Sequence, residues 1–408
     1  MHVNSKLHEY STALALLFNV ATFFAVLAIS AQAFAQDPHP QFITFAVSSA
    51  GRGSGQGTVP RSINVGGAIT GEYYDSSVAA HGFVRAPDGT IATFDAPGAS
   101  TAIGQGTFPR SINSQGLIAG FYYYVGNAVA ADSRMDARFS VRSGIKWVLK
   151  NRFLFSDPLE SEDSDGVYTR GFVRSLDGSI TPFDAGPNLG TIPLSINAGG
   201  EITGAYSNEG FVRAPGGAIT TFSVGIVTVP TSINQQGEIT GMYEDASFAC
   251  HGFLRALDGT IVTFDPAGSV CTDSEGINDS GIVTGEYSDS SDATHGFTRA
   301  PNGDITTFDV SEAGVNQNTA PTTISDLGII TGAYMDASGV LHGFVRPPDG
   351  TIVTFNTPGA GAPFEGDGTS PQGINLLGTI AGWYSDTNGT YHGFFLTALD
   401  GTEGTDKK

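Results

Sequence analysis

Apolar and polar positions alternate in short runs along this chain, and the runs return in the same order seven times. Ile69, Gly71 and Tyr73 fall on one side of a period-2 pattern, the spacing of a strand with one buried face. The segment reads Gly-x-Ile/Val-Thr/Ala-Gly-x-Tyr, with tyrosines at Tyr73, Tyr122, Tyr206, Tyr243, Tyr287, Tyr334 and Tyr384. It predicts the second of four strands in each copy. The first ends in Ser-Ile-Asn or a near variant, from Ser62-Ile63-Asn64 to Gly373-Ile374-Asn375. The third opens with Gly-Phe, at Phe83, Phe172, Phe211, Phe253, Phe297, Phe344 and Phe394. An Asp-Gly turn such as Asp88-Gly89 follows, and its positive φ values predict a two-residue antiparallel hairpin into the fourth strand.

The fourth strand, near Ile-x-Thr-Phe, occurs only six times within the copies, at Phe94, Phe183, Phe222, Phe264, Phe308 and Phe355. After Phe394 the chain ends without one, while Phe42-Ile43-Thr44-Phe45 stands alone near the other end. A permuted end of this kind predicts an all-β, seven-bladed β-propeller of four-stranded blades, closed by the N-terminal strand pairing into the last blade. Successive Asn64-equivalent positions lie 49, 84, 37, 44, 47 and 50 residues apart. The long interval is an insert, 125–167, between the second and third strands of the second copy. The domain reading is therefore 1–35 as a signal peptide, 36–402 as one propeller and 403–408 as a disordered tail.

Composition agrees with short strands and turns: 55 glycines and 20 prolines stand against 14% charged residues. The net charge of −21 repels polyanions and argues against nucleic acid as a partner. Lys6, the apolar run Ala13–Ile29 and Ala33-Phe34-Ala35 form a secretory signal pattern. Cleavage would leave no membrane span, and an uncleaved anchor is the alternative. The expected location is secreted or periplasmic, and the expected state a monomer. Cys250 and Cys271, the two cysteines of the chain, are candidates for a disulfide in such a compartment, with free thiols as the alternative.

The Ile-Asn-x-x-Gly strands and the tripeptides His81-Gly82-Phe83, His251-Gly252-Phe253, His295-Gly296-Phe297, His342-Gly343-Phe344 and His392-Gly393-Phe394 resemble the extracellular HAF repeat family. Glycine stands where that family has alanine. The resemblance implies export and a repeat architecture, and it carries no catalytic residues to transfer.

In five copies an aspartate precedes the histidine by six positions: Asp75 and His81, Asp245 and His251, Asp289 and His295, Asp336 and His342, Asp386 and His392. In the second and third copies, where Arg170 and Glu209 hold the histidine position, both members are missing. Metal binding or acid-base chemistry is one reading of such pairs. The favoured reading is a structural tie fastening the loop, since five copies around a ring cannot converge on one atom. Calcium at acidic loops such as Asp289-Ser290-Ser291-Asp292 is the candidate cofactor, though the spacing of a known calcium loop is missing. No catalytic motif appears, neither a Gly-x-Ser-x-Gly elbow nor His-Glu-x-x-His.

The insert breaks the repeat. Arg134, Arg138, Arg142, Lys146 and Lys150 recur every four residues, which would line them along one helical face, with a hairpin turning at Gly144 as the alternative. Trp147 with Arg138, Arg142 and Lys146 is the candidate contact for a protein or anionic glycan at the cell envelope, against the alternative of a surface excursion. The overall expectation is a secreted binding module. Its rival is an exported polysaccharide lyase or hydrolase with a site at the central opening, which would need polar residues outside the repeat near the axis, such as Glu275, Glu312 or Arg170.

Overall fold

A computed structural model describes residues 41–125, 167–187, 190–314, 318–361, 364 and 366–397. The signal segment, the interior of the insert with Arg138, Arg142, Lys146 and Trp147, and the tail lie outside the described residues. Every regular element among the described residues is a strand. In the first unit Gly57–Ile63 pairs with Ile69–Tyr74, which pairs with Ala80–Arg85, which pairs with Ile91–Phe94, all antiparallel. Five further units repeat this meander. The last is assembled from both ends of the chain: Thr369–Ile374, Ile380–Ser385 and Tyr391–Thr397 are joined by Gln41–Phe45, with Thr44 opposite Phe394 and Phe45 opposite Gly393. The fold is an all-β propeller. The insert leaves from an extended hairpin in which Tyr124 faces Tyr168 and Val125 faces Val167.

The turns into the fourth strand differ from the expected two-residue form. Gly89 takes a φ of 93° while Asp88 does not join it in the left-handed region. The Gly89 N–H reaches the Ala86 carbonyl at 3.0 Å and the Ala86 N–H reaches the Thr90 carbonyl at 2.8 Å. That is a type I turn closed by a glycine bulge. Asp88 serves by accepting the Thr90 N–H at 2.9 Å.

Packing between units explains the constant residues. The third-strand phenylalanines, Phe83 through Phe394, are all 0% exposed. Each meets the fourth-strand phenylalanine of the preceding unit edge to face, as Phe94 meets Phe172 at 6.2 Å and Phe45 meets Phe83 at 6.1 Å. Such aromatic pairs add roughly 0.5–1.5 kcal/mol each beyond area burial. The third-strand arginine covers the same ring from above, Arg174 over Phe94 at 4.8 Å, a cation–π contact. The glycine of His-Gly-Phe has a steric reason too: a Cβ on Gly82 would lie 2.6 Å from the Phe94 ring. An alanine there would displace the outer strand.

At the opposite end of the first strand, Ser-Ile-Asn joins neighbours. Asn64 donates its side-chain N–H to the Asn113 carbonyl at 3.0 Å, Asn113 to Asn197 at 3.0 Å, and Asn375 to Asn64 at 3.2 Å. The Asn64 Oδ1 meanwhile accepts the Ala68 N–H of its own turn at 2.9 Å. First and last units thus share the contact that joins units elsewhere. Cys250 and Cys271 form a disulfide, their Cα atoms 4.6 Å apart, between the fourth and fifth units.

Candidate functional site at the propeller axis

Every first strand carries a bulge at one position. Pairing with the second strand slips between Pro60 and Ser62 in the first unit, and at the matching place in the other six. The extra residue is left out of the ladder and re-aimed, as bulges near functional sites commonly do. Here it meets the axis. In units one to four these residues are Arg61, Arg110, Leu194 and Thr231; in units five to seven they are Glu275, Thr322 and Gln372. All of them line one cavity of about 230 Å³. A frame that reads Pro-x-Ser-Ile in units one to four and keeps its isoleucine and its bulge in all seven therefore presents a variable residue to a common space.

Charge is distributed unevenly around this cavity. Arg61 is bound through Nε and Nη2 to Glu72 Oε1, at 2.9 and 2.6 Å, with both side chains buried, 4% and 0% exposed. Its Nη1 reaches Gln372 across the seam at 3.3 Å. Arg110 approaches the same Glu72 oxygen at 3.6 Å, so two guanidiniums share one carboxylate. Burial pulls the Arg110 pKa down to about 10, with the neighbouring Arg61 adding to the effect and Glu72 opposing it. Both arginines remain charged at neutral pH. Burial likewise pushes Tyr391 up to about 12.

The fifth unit supplies acidic residues. Glu275 and Glu286 line the cavity, and Asp273 stands opposite Glu286 across the ladder. Asp273 and Glu286 are buried, 3% and 5% exposed. A buried ion pair or carboxylate costs desolvation and is weak evidence for stability. Retaining several at one place is a usual mark of a functional site.

The Asp-His pairs lie elsewhere, at the rim. His81 Nδ1 is 2.9 Å from Asp95, a residue after the fourth strand, while its Nε2 is 3.5 Å from Asp75. The expected partner is present but is not the nearer one. His251 sits 2.7 Å from Asp265 and 3.5 Å from Asp245, and His295 2.9 Å from Asp309 and 3.5 Å from Asp289. His342 and His392 come closer to Asp336 and Asp386, at 3.0 and 3.1 Å. Asp75 is occupied mainly by its own loop, its Oδ1 accepting from Ser77 N, Ser77 Oγ and Ala79 N at 2.8, 2.7 and 3.0 Å. The same capping by the Ser247 hydroxyl and the Ala249 N–H holds Asp245 down at about 2.

Arg170, a break in the repeat, belongs to this rim. It occupies the histidine position and binds Asp184 at 2.8 Å, so the post-strand aspartate keeps its partner when the histidine changes. Glu312 receives the Ser311 hydroxyl at 2.8 Å in an exposed connection. Of the three breaks singled out in the sequence, only Glu275 reaches the axis. Arg61, Arg110 and Glu72 were missed, although variation at the x of Pro-x-Ser-Ile was a visible signal. Among the described residues no group of three or more His, Cys, Asp or Glu is placed to hold a metal ion. Asp289, first residue of the acidic loop considered for calcium, spends its Oδ1 on Ser291 and Ala293.

No protein-family model matches the sequence, and no curated protein matches it. Among solved structures the chain is similar to a streptogramin B lyase, with 12% identity, a TM-score of 0.52, and coverage of 88% of this chain and 98% of that one. It is also similar to the β-propeller domain of the Trilobed protease from Pyrococcus furiosus, with 9% identity, a TM-score of 0.49, and coverage of 85% and 98%. At such identities the likeness concerns the fold alone.

Proposed function

We propose that the protein is a binding module that takes a small polar ligand into its axial cavity. The observation that carries this reading is the convergence of seven bulged residues, the most variable positions of a recurring motif, on one cavity. A scaffold needs no such variety, because inter-unit packing is done by the third-strand phenylalanines, present in all seven units, and by the asparagines, present in six. Disulfide linkage of Cys250 to Cys271 supports the reading of an exported protein, and the His-Gly-Phe repeats support kinship with HAF repeat proteins. A protein or anionic glycan at the cell envelope would engage Arg138, Arg142, Lys146 and Trp147.

Leu194→Trp tests the cavity, because it enlarges a lining side chain without removing a hydrogen-bonding group. A panel of polar metabolites should contain a compound that raises the melting temperature of the wild type and not of this variant; a ligand at about 100 times its Kd adds roughly 2.7 kcal/mol. Equal stabilisation of both proteins would place the binding elsewhere. A second reading, an exported lyase or hydrolase, is favoured by Asp273 facing Glu286, since paired carboxylates can divide acid and base roles. Turnover by the wild type that disappears in a folded Glu286→Gln variant would select it.

A further inference from the structure

In units one to four the serine after the bulge accepts a backbone N–H from the next unit. Ile112 reaches Ser62 Oγ at 3.3 Å, Ile196 reaches Ser111 at 3.4 Å, Ile233 reaches Ser195 at 3.3 Å and Ile277 reaches Ser232 at 3.4 Å. Antiparallel pairs alternate between bonded and unbonded. The Asn113 N–H takes the bond on the ladder side, to the Leu117 carbonyl at 3.0 Å, so the Ile112 N–H turns to the neighbouring unit. Ile63 and Ile324 stand in the same register, with the Asn64 N–H bonded to the Ala68 carbonyl at 3.0 Å and the Ser325 N–H to the Ile329 carbonyl at 2.9 Å. The units before them carry Gly373 and Gly276 in place of the serine. A Cβ at Gly373 would lie 3.3 Å from the Ile63 nitrogen, and one at Gly276 3.3 Å from the Ile324 nitrogen. Each of these two junctions is a notch that lacks the oxygen found in units one to four.

The two notches differ in what they adjoin. Gly373 and Ile63 line the axial cavity, whereas Gly276 and Ile324 do not. Ile63 is 7% exposed, and a backbone N–H so buried nearly always has an acceptor. At the seam that acceptor has to come from what the cavity holds. Ser62, Ser111, Ser195 and Ser232 line the same space, and a hydroxyl that accepts an N–H keeps its own proton to give. The hydroxyls of Thr231 and Thr322 are spent otherwise, donating to the Thr240 and Pro371 carbonyls, each at 3.2 Å. Arg110, Glu275 and Glu286 are engaged with groups of their own. The seam and the serines thus offer a ligand hydrogen-bond donors.

We propose that the cavity takes a small polycarbonyl compound, a di- or tricarboxylate or its ester, with one oxygen in the notch over Gly373 accepting the Ile63 N–H and the others accepting from the serine hydroxyls. This rests on the cavity being the binding site. Carbonyl and carboxylate oxygens only accept, whereas each hydroxyl of a polyol brings a donor to groups that are themselves donors.

Calorimetric titration of the full chain with succinate, citrate and dimethyl succinate, beside butanediol as the matching diol, tests it. At least one carbonyl compound should bind at least about tenfold more tightly than the diol. Gly373→Ser supplies the missing oxygen, and Gly276→Ser makes the same change away from the cavity. The first should weaken that binding at least about tenfold and the second leave it unchanged, a difference that a merely structural role for the notches would not produce. If Gly373→Ser does not fold, Gly373→Ala fills the notch with a methyl group and should weaken binding likewise. Binding of the diol as tight as that of the carbonyl compounds, or equal affinity in the two serine variants, overturns the proposal. If none of the three carbonyl compounds binds while another metabolite binds in a manner that Leu194→Trp blocks, the ligand class is wrong and the binding site stands. If nothing binds, both readings fall.

Discussion

His81 sits between two carboxylates, and this sandwich sets how single residues at the rim respond to pH. The hydrogen bond that His81 donates to Asp95, with the charges of Asp95 and Asp75, raises the His81 pKa against the opposing pull of partial burial. A group with a raised folded pKa stabilises the fold most when protonated, below its unfolded value near 6.5, and that contribution disappears as pH climbs through the folded value. His81→Gln should therefore cost about 1 kcal/mol at about pH 5.5 and clearly less at about pH 9, a modest figure because Asp95 is half exposed. Melting curves at the two pH values check this. An equal loss at both would mean that the ring acts through packing on Tyr73, which it stacks against at 5.0 Å, rather than through charge.

At the level of the element, the first strand performs two tasks with adjacent residues. Its bulge turns one side chain toward the axis, and its Ser-Ile-Asn end binds the next unit. The sixth unit breaks this second task, because Thr323-Ile324-Ser325 ends in serine. Asn278 still donates to the Ser325 carbonyl at 3.2 Å, but a serine side chain has no carboxamide NH2 to pass the bond on toward Asn375. Ser325→Asn should complete the series and raise stability by about 0.5–1 kcal/mol, the net worth of one hydrogen bond. Unchanged or lowered denaturation midpoints would show that the asparagine chain is not a source of inter-unit stability.

For the whole molecule, the decisive element is the short strand Gln41–Phe45. Without it Phe83 and Phe394 lose partners on their outer sides, since Phe45 packs on Phe83 at 6.1 Å and Phe42 on Phe394 at 6.1 Å. An open edge at Tyr391–Thr397 would also invite pairing between chains. Deleting residues 1–46 should cost about 3–6 kcal/mol from two displaced phenylalanines and promote association. A permuted chain carrying Gln41–Phe45 after Thr397 should recover the stability, because the strand would still pair with the same neighbour. Full stability of the truncated chain would show that the seam is dispensable.

Strand grammar, the turn residues and the missing fourth strand were all written in local patterns, because period-2 alternation and Gly-containing turns follow from backbone sterics within a few residues. The repeat determined the propeller architecture, and it placed Phe94, Phe183 and their equivalents in the fourth strand of each copy. What it could not express was convergence. Arg61 and Glu275 are far apart in sequence, and nothing within either copy says that the other is near. Asp95 lies in the turn beyond the outer strand, so its bond to His81 depends on how two strands are paired. Only the radial packing of the units, which brings seven bulges to one axis and sets units one and two opposite unit five, decided that these residues share a cavity.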